Sequence, residues 1–102
     1  MAPEFEKLTY PNAKVTSRVS AFGQQVMEMK TTDSLAEIKA FYEKQMGAPV
    51  VESENGGDKS LIFQKAPLMV TVGDDRRTPG QLSITIIRSG WIPQLEQPDK
   101  KQ

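Results

Sequence analysis

The chain has 102 residues with 13 Lys and Arg against 13 Asp and Glu, so it fits a single domain of zero formal net charge. It contains neither Cys nor His, which removes disulfides, thiolate nucleophiles, imidazole bases and the usual zinc sites. A pI near 6.3 also removes the broad cationic field on which non-specific binding to nucleic acid depends, so nucleic acid is not an expected partner.

No apolar run approaches the roughly 18 residues that would span a bilayer, so no transmembrane segment is expected. Met1 to Leu8 lacks the basic region and hydrophobic stretch of a signal peptide. Residues 1–7 are read as a flexible terminus and the domain as residues 8–93.

Tyr10-Pro11-Asn12 marks a turn, because Pro presets φ and Asn tolerates the left-handed region. Ala13, Val15, Ser17, Val19 and Ala21 then alternate with Lys14, Thr16, Arg18 and Ser20, the period of a half-buried strand. Gly23 permits a reversal into a second strand, Gln24 to Thr31, with Met27 and Met29 on one face and Val26, Glu28 and Lys30 on the other. Ser34-Leu35-Ala36-Glu37 is a capping box, and Leu35, Ile38, Phe41, Tyr42 and Met46 recur at helical spacing up to Gly47. The spacing predicts a helix over residues 35–46.

Beyond Gly47 the pattern is β. Val50 and Val51 predict a short strand, Asn55-Gly56-Gly57 a turn, and Ser60 to Lys65 a strand with Leu61 and Phe63 on one face. After Ala66-Pro67, Leu68, Val70 and Val72 alternate with Met69 and Thr71, and Leu82, Ile84 and Ile86 alternate with Ser83, Thr85 and Ile87. These last two strands are expected to pair across the polar loop Gly73 to Gly80. Residues 94–102 have little to bury and read as a flexible tail. The sum is ββαββββ: an α+β fold with one helix packed on a mostly antiparallel sheet of five to six strands, in a two-layer sandwich.

The order of Tyr10-Pro11-Asn12-Ala13-Lys14-Val15, a Gly-turned hairpin, Thr32-Asp33-Ser34, a helix bearing Phe41-Tyr42, and a Gly-rich turn into alternating strands resembles a group of small bacterial domains. Those domains are found behind export signals or lipoprotein anchors. The resemblance implies a periplasmic or cell-envelope location and carries no catalytic residues to transfer.

Several constellations bear on function. Asp74, Asp75, Arg76 and Arg77 form the densest charge cluster, read either as a two-signed surface for a protein partner or as a solubilising loop tip. Glu52, Glu54, Asn55 and Asp58 flank two glycines, but their spacing is not that of a calcium loop. No Gly-x-Ser-x-Gly, Ser-x-x-Lys or phosphate-binding loop is present, so no catalytic residue, cofactor or metal is assigned. Trp91 reads as folding back over the sheet edge or anchoring a partner.

A helix of about 12 residues spans only about 18 Å and covers one face of the sheet. The other face is predicted to display Thr16, Arg18, Ile62, Met69, Thr71, Thr85 and Ile87, with an apolar centre. The expected function is therefore a non-enzymatic interaction or structural domain that contacts a protein partner or a second copy of itself through Asp74 to Arg77 or through Ile62, Met69 and Ile87. The competing expectation is a small-ligand carrier whose pocket lies between helix and sheet, lined by Met27, Met29, Phe41 and Tyr42.

Overall fold

The computed structural model describes residues 3–53 and 59–89. It contains two helices, α1 (Pro3–Leu8) and α2 (Leu35–Met46), and six strands: β1 (Lys14–Ala21), β2 (Gln24–Thr31), β3 (Val51–Ser53), β4 (Ser60–Lys65), β5 (Leu68–Asp74) and β6 (Leu82–Ser89). The strands form one sheet in the order β1-β2-β6-β5-β4-β3, and every neighbouring pair is antiparallel. The chain is α+β, as its patterning predicts. The predicted turn at Asn55-Gly56-Gly57, most of the oxygen-rich loop, Trp91 and the tail at residues 94–102 lie outside the described residues.

Local chemistry accounts for α2. Ser34 Oγ accepts from the Glu37 amide and Glu37 Oε1 accepts from the Ser34 amide, which satisfies two otherwise orphaned donors at the helix start. Gly47 ends the helix at φ 83°, a conformation that costs glycine little. Leu35, Ile38, Tyr42 and Met46 are buried along one stripe, with Phe41 half-buried beside it. Four strand spacings of about 4.8 Å separate β2 from β3. The roughly 18 Å length of α2 carries the chain across that distance to the far edge of the sheet.

The core lies between α2 and one face of the sheet. Met27 and Met29 on β2, Leu61 and Phe63 on β4, Val70 and Val72 on β5, and Leu82, Ile84 and Ile86 on β6 are all buried at alternate positions. Tyr42 meets Phe63 with ring centroids 5.9 Å apart, which ties the helix to the sheet.

Two expectations are corrected. Residues 1–7 are not wholly outside the fold, because Phe5 of α1 sits in the core at 2% exposure, beside Leu8 of the predicted domain. The Tyr42 hydroxyl donates to the Leu8 carbonyl at 2.6 Å, and Gln45 Nε2 donates to the Lys7 carbonyl at 2.7 Å. A six-residue helix is too short to declare a period in sequence, and such a helix is held by docking rather than by propensity.

The second correction concerns β1. Val15 pairs with Met29, but Ser17 pairs with Glu28, so Thr16 is an extra residue in a β-bulge. The bulge inverts the alternation beyond it. Arg18 is opposite Met27 on the core-facing side, whereas Val19 is opposite Val26 on the other face and is 52% exposed. Plain alternation predicts the reverse for both residues.

Candidate functional site

The four charged residues Asp74, Asp75, Arg76 and Arg77 do not present one common surface. Asp74 ends β5, and its Oδ2 accepts from the Lys59 amide at 2.8 Å. Asp75 is buried, with Oδ2 3.0 Å from Lys30 Nζ and Oδ1 accepting from the Arg77 amide at 3.0 Å. The Lys30 contact holds the Asp75 carboxyl below the usual carboxylate range, against the opposing effect of burial. Arg76 and Arg77 are exposed on the turn, as is Asp74 at the end of β5. Asp75 therefore belongs to the turn's internal scaffold, and its partner lies on β2, far away in sequence.

Ile62, Met69 and Ile87, in contrast, do share a surface. The register places Val19, Val26, Ile87 and Met69 in one row across β1, β2, β6 and β5 on the face away from α2. One row further along the strands, Val51 is opposite Ile62 across β3 and β4. Each of the six strands thus contributes one apolar residue to a band that crosses the sheet and steps by one row between β5 and β4. Val19 and Val51 at the two ends are 52% and 43% exposed, and the four residues between them are half-buried.

Polar rows border the band. Ser17, Glu28, Thr85 and Thr71 line one side, and Gln24 and Ser89 lie on the other. The charged side chains nearest its centre already have partners within the chain. Lys30 is paired with Asp75, while Glu28 accepts from Thr16 Oγ1 at 3.3 Å and from Ser83 Oγ at 3.5 Å. Covering this face would leave Lys30 paired with Asp75, while Glu28 would keep only its two hydroxyl contacts.

Val19, Val26 and Val51 are the residues of the band that sequence reasoning missed. No local signal betrays the bulge that turns Val19 outward, although Val26 was legible from the alternation of β2. Phe22 is a further omission: it is 91% exposed at the tip of the β1–β2 hairpin, at φ 52°. With Gly23 at φ 79° it forms a two-residue turn in which both central residues have positive φ. Phe-Gly standing where such turns favour Asn-Gly is a signal visible in the sequence.

The residues proposed to line a ligand pocket are packed into the core instead. Met27, Met29 and Tyr42 are at most 1% exposed, and Phe41 is set edge-on to Tyr10 and Tyr42 at 5.3 and 4.9 Å. A cleft of about 190 Å³ lies elsewhere, lined by Lys7, Leu8, Gln45, Met46, Lys65, Ala66 and Leu68. It opens at the end of α2 beside the β4–β5 turn, not between Met27 and Phe41.

Titratable groups converge at one further place. The Tyr10 hydroxyl donates to Asp33 Oδ2 at 2.7 Å, and Asn12 Nδ2 donates to the same oxygen at 2.9 Å. Burial, then the bond to Asp33, pushes the Tyr10 hydroxyl up, and the same bond followed by that from Asn12 holds Asp33 down. Burial also raises Tyr42. Both phenols are thus hydrogen-bond donors that keep their protons, and the group pins the turn before β1 to the start of α2.

Of the oxygen-rich loop, Glu52 is described, and its Oε2 lies 2.9 Å from Lys39 Nζ of α2. Among the described residues no three carboxylates gather into a metal-holding group, and no helix is long and apolar enough to cross a membrane. Comparison with known protein families, with curated proteins and with solved structures finds no match.

Proposed function

We propose that the chain is a non-enzymatic protein-interaction domain whose contact surface is the sheet face opposite α2. The arrangement is read as a two-layer sandwich, with α2 closing one face of the sheet and the other left for a partner. The observation that carries this reading is the apolar band Val19, Val26, Ile87, Met69, Ile62 and Val51, to which every strand contributes. An apolar centre with polar rows beside it has the composition of an interface core and rim. A bacterial envelope location is proposed on the resemblance of the sequence alone.

Photo-crosslinking tests this reading. Benzoylphenylalanine at position 85, within the polar row beside the band, is compared in cells with the same probe at position 43 on the exposed side of α2. Protein adducts from position 85 and none from position 43 support the reading; adducts from position 43 alone, or from neither, contradict it.

A further inference from the structure

We infer that the end of the molecule bearing the β1–β2 turn docks on an anionic lipid surface. Phe22 enters the bilayer interface, and the cations around it meet the headgroup phosphates. This surface is separate from the apolar band, because its cations lie on the α2 side of the sheet.

The first support is a segregation of charge that zero net charge conceals. The register aligns the strands in rows across the sheet, and in the rows nearest the β1–β2 turn, from Gln24 to Met27 on β2, the charged residues are Arg18, Arg88 and Lys65. The acidic residues of the strands, Glu28, Glu52 and Asp74, all lie in the remaining rows toward the other end. Arg18, Arg88 and Lys65 share the pleat phase of the buried Met27, Ile86 and Phe63, which puts all three on the α2 side. Lys7 joins them, since with Lys65 it lines the cleft of about 190 Å³ at the end of α2. Against these cations stands the exposed Glu6, while Glu43 lies 4.0 Å from Lys39. Lys7, Arg18 and Lys65 make no ion pair among the described residues, which leaves their charge for an outside anion.

The second support is Phe22. It is 91% exposed, and its φ of 52° is one that an ordinary side chain adopts only at a cost. An aromatic ring presented to solvent on a strained turn points to a contact rather than to stability of the fold. Val19 and Ala21, also exposed, precede it, and residues 19–27 carry no charge. An apolar tip bordered by cations is the layout of an interfacial anchor. Single-stranded nucleic acid also stacks on aromatic rings, but it calls for a cationic groove that follows its backbone, and this tip is uncharged.

The third support is where the chain leaves the sheet. β6 ends at Ser89 on this same end, where the Ser89 amide donates to the Pro67 carbonyl at 3.1 Å. Trp91 and Ile92 follow in the sequence, within about 11 Å of Ser89 even for an extended chain. Trp suits the boundary between headgroups and acyl chains, having an apolar body and a polar handle.

Co-sedimentation of the full chain with vesicles of equal parts phosphatidylglycerol and phosphatidylcholine, beside vesicles of phosphatidylcholine alone, tests the inference. Partition into the anionic vesicles should be stronger by about tenfold or more. Arg18→Gln and Lys65→Gln together should weaken it about 25-fold, at about fivefold for each cation. Phe22→Asn, which suits the turn and so preserves the fold, should weaken it about tenfold or more. Arg76→Gln with Arg77→Gln, beyond the opposite end of β5, should leave it unchanged. Equal partition into both kinds of vesicle, partition into neither, or equal losses from the two double variants overturns the inference, as does full partition by Phe22→Asn. Retention on heparin by a chain that does not bind the vesicles would assign this end to a soluble polyanion and likewise overturn it.

Discussion

Lys30 on β2 and Asp75 in the turn after β5 meet at 3.0 Å, joining the first hairpin to the turn of the last across the β6 strand that separates β2 from β5. Because the pairing holds the Asp75 carboxyl low, the unfolded chain binds more protons than the folded one as pH falls. The stabilisation is fully present above the ordinary carboxylate pKa of about 3.9 and is lost as pH falls below it through the folded value. Melting temperatures measured from pH 7 to pH 2.5 should therefore separate wild type from Asp75→Asn at the upper end and converge at the lower. A constant separation would show that Asp75 acts through something other than its charge.

The neighbouring arginines should behave differently. Arg76 and Arg77 are exposed on the turn, and changing both to Ser is expected to shift stability by no more than about 0.5 kcal/mol each, as surface substitutions usually do. Asp75→Ser, made alone, should lower the melting temperature measurably. Equal effects from the two sets would contradict the division of this cluster into a scaffold residue and solvated ones.

Tyr42→Phe removes a buried hydroxyl and leaves the Leu8 carbonyl without its 2.6 Å donor. The expected cost is about 1 to 3 kcal/mol. For a domain of this size that amounts to a fall in melting temperature of at least about 4 °C. Because the bond joins α2 to the segment following α1, amide exchange in residues 5–9 should accelerate more than in β6. Unchanged exchange there would argue that α1 is held by packing of Phe5 and Leu8 alone.

Phe22 sits in the left-handed region, which costs an ordinary side chain roughly 1 to 2 kcal/mol relative to a residue that tolerates it. Phe22→Asn should raise the urea midpoint, since Asn-Gly suits a turn with two positive φ values. A lower midpoint would mean that the aromatic ring makes contacts worth more than the backbone conformation costs.

What the sequence discloses here follows the range of the interaction. The capping box, the Gly47 stop and the stripe from Leu35 to Met46 are local, and α2 has the bounds its spacing predicts. Alternation in β2, β4, β5 and β6 assigns Ile62, Met69 and Ile87 to the face away from α2, because an uninterrupted pleat keeps phase. One inserted residue at Thr16 was enough to misplace Val19 and Arg18, since a bulge leaves no compositional mark. The burial of Asp75 was likewise hidden, because a run of four charges reads as solvated until its Lys30 partner is brought beside it. The docking of Phe5 and Leu8 depends on a groove that exists only once the sheet and α2 are assembled.

The central claim is that the sheet face away from α2 is the contact surface. Photo-crosslinking in cells from benzoylphenylalanine at position 85, in the polar row beside the band, with position 43 on the exposed side of α2 as the control, tests it most directly. The account predicts protein adducts from position 85 and none from position 43. Adducts from position 43 alone, or from neither position, would contradict it.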